Sequence, residues 1–416
     1  SFWDFIVHNE PGCTMTLDEA LRAFVDCCHK NGQKAGIYFT PFTAWHSSEE
    51  ALKNARVEGT KYTYYAAALK RTDGSGLYGK LDGGYALDPT HPATVQRFTD
   101  KLNYFIDLGF EYVKLDFMAH GAAEGQHYDQ NITTGIQAYN YGMAKILEIC
   151  QGKMYVNLSI APLFPYQYAD GRRISCDAFA SLDNTRHVLS YLTACFWEGG
   201  IYPYPDPDHL VVWGSDGNVT DGEARCRVTA GAISGTSFLV GDDLTDIEPG
   251  SDKAERILAM FGNRDIIAAA KLGRMFTPWE VIPGEKCAQS YWCTAGDAFY
   301  LAVFNFDSDA MDYSFHLANH LAEHDEFTAK ELWRGTEFSL TGKTLVVTVP
   351  KKDAALYRIT PVHPETVPAD DVQMVITDSS NKVVKEKNGM LPFIIGGAAV
   401  VLAAAAAVMV KNNKKK

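Results

Sequence analysis

The sequence predicts an α/β protein: a (β/α)8 TIM barrel, incomplete at its N-terminus, followed by an antiparallel β-sandwich and a C-terminal transmembrane helix. Three observations carry this. Short apolar strands alternate with helical stretches from Lys34 to Gly241, the order that builds a parallel sheet. Acids and polar groups stand at the carboxyl ends of several of these strands, the face on which α/β barrels place their chemistry. From Thr277 onward the pattern changes to period-two runs bounded by turn residues, the signature of antiparallel strands.

The elements follow in order. "TLDEALRAFVDCCHKNG" opens on a capping box, Thr16 with Glu19, repeats apolar residues at helical spacing and closes on Asn31-Gly32, which predicts a helix. "KAGIYF" follows as a strand, then a helix from Pro92 to Leu108 with Gly109 as its stop, then a strand that ends at Asp116, then a helix from Gly135 to Cys150. Further strands are expected at Met154–Ser159, Arg173–Asp177, His209–Trp213 and Ser237–Gly241. That makes six strands where closure needs eight, and the first visible helix should itself follow a strand. Ser1–His8 is read as the remnant of a missing strand or its loop. The later strands are expected at "AFYLAVFNF", "DYSFHL", "TAKELW", "TLVVTVP" and "ALYRIT".

The expected domains are therefore 1–276 for the barrel, 277–360 for the β-sandwich, 361–390 for a polar linker, 391–410 for a transmembrane helix and 411–416 for a basic cytoplasmic tail. The span "LPFIIGGAAVVLAAAAAVMV" carries no charge and, as a helix, is long enough for a hydrocarbon core of about 30 Å. Lys411, Lys414, Lys415 and Lys416 follow it, so the positive-inside rule places all that precedes it outside the cell, at a membrane-anchored surface location. The N-terminus has no signal segment and no initiator Met, which suggests processing or a fragment.

A formal charge of −13 excludes a nucleic-acid partner, since neutralising phosphates needs a clustered basic face. The nine cysteines are odd in number and contain no C-x-x-C pair, so neither a zinc site nor a disulfide framework is indicated. Cys287 and Cys293 could pair across adjacent strands.

Side-chain alternation puts Lys114 and Asp116 on one side of their strand, either as part of a site or as a salt bridge closing its end. "GRRISCD" sets Arg173 and Asp177 four residues apart with a short strand between, so they can meet only if the chain turns after Cys176. Taken alone, Asp177 also reads as a helix cap. Asp206 and Asp208 precede one strand, and Asp242 and Asp243 follow another; each acid either lines a site or binds backbone. Trp45, Tyr38 and Trp197 are aromatic faces for a pyranose, or core.

Taken together, "YVKLDF", "SIAPLFPYQYADGRRISCDAF", "YPDPDHLVVWG", "GEARCRVTAGAISGTSFLVGDDL" and the terminal β domain resemble, in that order, the α-galactosidase and α-N-acetylgalactosaminidase clan of glycoside hydrolases, families 27 and 36. The resemblance implies a retaining glycosidase that releases α-linked galactose, with Asp116 as nucleophile and Asp177 as acid/base. It makes Lys114 a sugar-hydroxyl ligand and Arg173 a contact to the sugar's 2-position; Ser159, Asp206, Asp208 and the aromatic face of Trp45 are the further expected substrate contacts. No metal and no cofactor is implied; the partner is a carbohydrate. Small Ser159 and Ala161 keep an α-N-acetylgalactosaminide substrate open, and the absent second strand, which carries the galactose-selecting acids in that clan, keeps open a catalytically inactive carbohydrate-binding surface protein.

Overall fold

The computed structural model describes residues 14–215, 217–235, 238–245, 247–321 and 326–362. They fall into two compact units that divide between Arg172 and Arg173. Among the described residues no helix is long and apolar enough to cross a membrane. The expected transmembrane span 391–410, its basic tail and the strand remnant Ser1–His8 lie outside the described residues.

The first unit opens with helix α1, Leu17–Lys30. Its capping box forms as expected: Glu19 N–H donates to Thr16 Oγ1 at 3.3 Å, and Thr16 N–H to the Glu19 carboxylate at 2.8 Å. Strand β1, Gly36–Phe39, leads through a long connection into helix α2, Pro92–Leu108, with proline in its first turn and Gly109 at φ 96° closing it. Strand β2 is Tyr112–Leu115, helix α3 is Gly135–Cys150 and strand β3 is Tyr155–Leu158. β1 and β3 flank β2, both parallel to it, in a register that aligns Tyr38, Lys114 and Asn157. Strand β4, Gly171–Arg173, pairs with β3 through Gly171 and Arg172.

Alternation sorts the side chains of these strands. Phe39, Val113, Leu115, Val156 and Leu158 pack with Phe98, Phe105, Tyr139 and Met143 of α2 and α3 in one core. The opposite face is aromatic and polar. Tyr112 and Tyr155 stack at 5.3 Å, the Tyr112 hydroxyl accepts from Asn157 Nδ2 at 2.8 Å, and Gly36 leaves space for the Tyr112 ring, since a Cβ there would lie 2.9 Å from it.

In the second unit, Ile174 N–H donates to Asp206 O, which ties the segment after β4 to strand β5, Tyr204–Asp206. Helix α4, Leu182–Cys195, runs between them. Strand β6, His209–Leu210, pairs in parallel with β7, Leu239–Val240, across helix α5, Asp221–Ile233. Helices α6, Asp252–Phe261, and α7, Arg264–Ala270, complete the helical part. Both units thus carry the parallel β/α repeats from which an α/β barrel is built.

Two expected strands differ from those observed, and a third strand was not expected. The strand placed at Arg173–Asp177 is Gly171–Arg173, and it ends at the first residue of the expected stretch. His209–Trp213 is reduced to two residues, because Val212, Trp213 and Gly214 give their N–H groups to Asp242 instead of a ladder. Tyr204–Asp206 is a strand that the two prolines around it conceal.

Residues 277–361 form the β-sandwich. One sheet orders β8 (Thr277–Pro278), β9 (Ser290–Ala295), β10 (Ala298–Asn305), β15 (Asp353–Pro361), β12 (Glu326–Glu331) and β13 (Glu337–Thr341); the other pairs β11 (Met311–His316) with β14 (Thr344–Val349). All eight residues of β10 are buried, so it has no solvent face. Phe299, Leu301 and Val303 fill the sandwich interior with Phe315, Val347 and Tyr357. Tyr300, Ala302 and Phe304 face the other way, into a core shared with Val188, Val228 and Phe276. The boundary expected at 276/277 is therefore a change of secondary structure inside one packed unit. Cys287 and Cys293 do not pair: both are free buried thiols, and burial pushes Cys287 up to about 11.

Candidate active site

The strand ends of the first unit hold one group of expected residues. Asp116 follows β2 directly. Its N–H still bonds Phe39 O at 2.9 Å, and its Oδ1 accepts from Phe117 N–H at 2.8 Å. It is 8% exposed. Phe117 adopts φ 55°, a left-handed conformation costly for a bulky residue and kept only where surroundings impose it. The turn sets its ring edge-on to Trp45, with centroids 4.7 Å apart. Trp45 Nε1–H donates to Thr40 Oγ1 at 3.1 Å, so the indole is fixed at one end while about half of it stays exposed. Ser159, one residue past β3, is buried, and its carbonyl accepts from Met118 N–H. Ile160 follows at φ 45°, a second strained residue at a strand end.

The second unit holds the other group. Arg173 ends β4 and its Nη2 donates to Asp177 Oδ1. The two meet because the strand stops at Arg173, earlier than the sequence indicated. Asp177 does not cap α4, whose N-cap is Ser181. Its side chain is 67% exposed, whereas that of Arg173 is 6% exposed. Asp208 Oδ1 lies 3.4 Å from Arg173 Nη1, and its Oδ2 accepts the N–H of Ala178 at 2.7 Å. Burial opposes the charge on Arg173, but the Asp208 and Asp177 carboxylates outweigh it and raise its pKa, so the guanidinium stays charged.

Asp206 and Asp208, expected as sugar contacts, are both fully buried. Their carboxylates serve the chain itself: Asp206 Oδ1 accepts from Asp208 N–H at 2.8 Å, and Asp208 binds Ala178 and Arg173. Asp242 is likewise a backbone anchor, accepting from Val212, Trp213 and Gly214 at 2.7–3.0 Å. Asp243 accepts from Thr245 N–H at 2.9 Å. Trp197 is 43% exposed, in the 3₁₀ turn Phe196–Gly200. Lys114 and Tyr38 are cross-strand neighbours on the aromatic and polar face of the sheet.

Sequence reasoning missed Arg227. It lies in α5, where every residue from Cys226 to Ile233 is buried, and it is wholly inaccessible. Its Nη2 donates to Pro207 O at 2.8 Å and its Nε to His209 O at 3.0 Å. Burial lowers its pKa to about 10, which leaves it charged at neutral pH. The only signal was an arginine inside the small-residue run "RCRVTAGAI".

Residues 291–359 match the family described as the α-galactosidase C-terminal β-sandwich domain. No curated sequence is similar enough to this chain to be matched. Among solved structures, the chain is similar to a family 27 β-L-arabinopyranosidase of Geobacillus stearothermophilus, at 16% identity and a TM-score of 0.62, covering 83% of this chain and 78% of that one. It is also similar to α-galactosidase I of Mortierella vinacea, at 14% identity and a TM-score of 0.54 over 82% and 79% of the two chains. A candidate α-N-acetylgalactosaminidase of Bacillus halodurans aligns at 16% identity and a TM-score of 0.59, over 82% and 78%. The resemblance read from the ordered motifs is borne out: the chain has the fold of the family 27 glycoside hydrolases, and residues 291–359 match the α-galactosidase C-terminal β-sandwich domain.

Proposed function

We propose that the chain is a retaining glycoside hydrolase that releases α-linked galactose, with Asp116 as nucleophile and Asp177 as acid/base. The observation that carries the reading is the Arg173–Asp177 ion pair at a strand end, with an accessible carboxyl braced by a buried guanidinium. The sheltered Asp116, fixed at another strand end, suits the second role.

A retaining reaction needs two carboxyl groups about 5–5.5 Å apart. The Asp116 carboxylate attacks C1 as the C1–O bond breaks, and the Asp177 proton passes to the departing oxygen. In the second half Asp177 takes a proton from water, whose oxygen bonds to C1 while Asp116 leaves. A sugar hydroxyl competing for Arg173 would weaken its ion pair with Asp177 and leave that carboxyl carrying its proton. Trp45 offers an exposed aromatic face to the apolar side of the sugar.

The sugar at the 2-position is a second question. Small Ser159 and Ala161 after β3 favour tolerance of an acetamido group, and the likeness to the Bacillus halodurans protein supports that variant. The likeness to a β-L-arabinopyranosidase supports a third substrate, which has the galactose configuration without the hydroxymethyl group.

The test is hydrolysis of the 4-nitrophenyl glycosides of α-galactose, α-N-acetylgalactosamine and β-L-arabinopyranose, with the product anomer followed by NMR. The α-galactoside should turn over fastest and release the α-anomer first. First release of the β-anomer would refute retention. Asp116→Ala should bind galactose without turnover, and wild-type activity in that variant would remove it as nucleophile.

A further inference from the structure

Asp208 stands at φ 66°, a left-handed conformation that an L-residue keeps only where its surroundings impose it. Three contacts impose it. Arg227 grips the carbonyls on either side, those of Pro207 and His209, and Asp206 accepts the Asp208 N–H. A fully buried guanidinium is an expensive device for holding one turn, even with the Asp208 and Asp206 carboxylates near enough to favour its charge. What the turn fixes is the direction of the Asp208 carboxylate. One oxygen takes the N–H of Ala178, the residue after Asp177; the other faces Arg173, whose second Nη reaches Asp177 itself.

We propose that Arg227 and Asp208 are positioning residues for Asp177, holding it both through the backbone at Ala178 and through the Arg173 side chain. The inference rests on the acid/base role proposed for Asp177. Neither residue touches substrate. Together they set where the Asp177 proton stands relative to the oxygen it must reach, and a displacement of about 1 Å at such a group is enough to cost a hundredfold in rate. Asp206 acts one step further back, by fixing the Asp208 backbone.

The experiment compares two substrates that differ in their need for that proton. Phenyl α-galactoside has a poor leaving group and depends on acid assistance, whereas α-galactosyl fluoride needs little. The quantity read is the ratio of kcat/KM for the phenyl galactoside to that for the fluoride. A lower folded fraction reduces both equally and leaves the ratio unchanged.

Asp177→Ala should lower the ratio by about a hundredfold or more, the scale of general acid catalysis. Asp208→Asn keeps an acceptor for Ala178 but loses the charge facing Arg173, and should lower the ratio by about tenfold. Arg227→Lys cannot hold both carbonyls and should move the ratio in the same direction. If Asp177→Ala lowers the ratio while Asp208→Asn and Arg227→Lys leave it at the wild-type value, the positioning role is refuted and the acid/base role stands. If Asp177→Ala leaves the ratio unchanged, or the wild-type chain turns over neither galactoside, the acid/base reading falls and the positioning role falls with it.

Discussion

Replacing Asp353 by asparagine tests what joins the β-sandwich to α5. The Asp353 side chain, at the start of β15, is 3% exposed and accepts from Arg225 Nε at 2.8 Å, Arg225 Nη2 at 2.7 Å and Arg334 Nη2 at 2.6 Å. It also takes the Ala354 N–H at 2.7 Å. Asparagine keeps one acceptor oxygen, loses the oxygen facing both Nη2 groups and sets an amide NH2 against them. Each charge-assisted bond lost is worth about 1.5–3 kcal/mol. Arg334 is 38% exposed, so water replaces much of its share, whereas Arg225 is 22% exposed and is left largely unpaired.

The expected loss is about 3 kcal/mol, at the lower edge of the range for breaking a buried ion pair. Urea denaturation followed by tryptophan fluorescence reads it directly, since Trp333 hydrogen-bonds Thr229 of α5 at 2.8 Å and reports this junction. If the cost is an unpaired charge, Arg225→Met combined with Asp353→Leu should recover to within about 1 kcal/mol of wild type. A loss below about 1 kcal/mol in Asp353→Asn, or a double variant worse than the single one, would refute the account.

Two further changes separate packing from charge. A Cβ on Gly142 of α3 would lie 2.7 Å from Phe42 Cζ and 2.9 Å from Pro89 Cβ, so Gly142→Ala should gain about 1 kcal/mol of helix propensity yet lose about 1–3 kcal/mol to overpacking. Its melting temperature should fall, and Phe42→Leu in the same chain should recover part of the loss; a rise in Gly142→Ala alone would refute the clash. Burial raises the Asp170 pKa against backbone hydrogen bonds from Val156, whose N–H meets the carboxylate at 2.8 Å, and from Asp170 itself, so the fold favours its protonated form and loses stability as pH rises through the range of that carboxyl. Asp170→Asn should therefore melt higher than wild type at pH 7, with the difference vanishing below about pH 4, and an equal difference at both pH values would refute the charge as its cause.

What the sequence disclosed depended on whether the cause was local. The helices at Leu17 and Gly135 begin where expected because a capping box needs only residues three apart. Gly109 and Pro92 bound their helix for equally local reasons. Asp116, Arg173 and Asp177 were visible as acids and a base beside strand ends. The Asp208 turn was not, since its left-handed backbone depends on an arginine nineteen residues later in the chain. Ile174 and Cys176 gave "RISCD" the texture of a strand, but only Ile174 keeps a ladder bond, to Asp206. Asp206 and Asp208 read as acids that either line a site or bind backbone, and their burial follows from the same turn. Arg227 left almost no trace because a helix buried on all sides shows no polar face to contrast with it.

Strand β10, apolar on both faces, has a practical meaning for anyone cutting or grafting this protein. A swap made at residue 276, where helices give way to strands, would uncover Tyr300, Ala302 and Phe304 together with Ala354 and Leu356 as one continuous greasy plane. It would also part Arg225 from Asp353. Keeping residues 173–361 together leaves the shared core and the Arg225–Asp353 pair intact, so the Asp177 loop and the sandwich travel as a single inheritance.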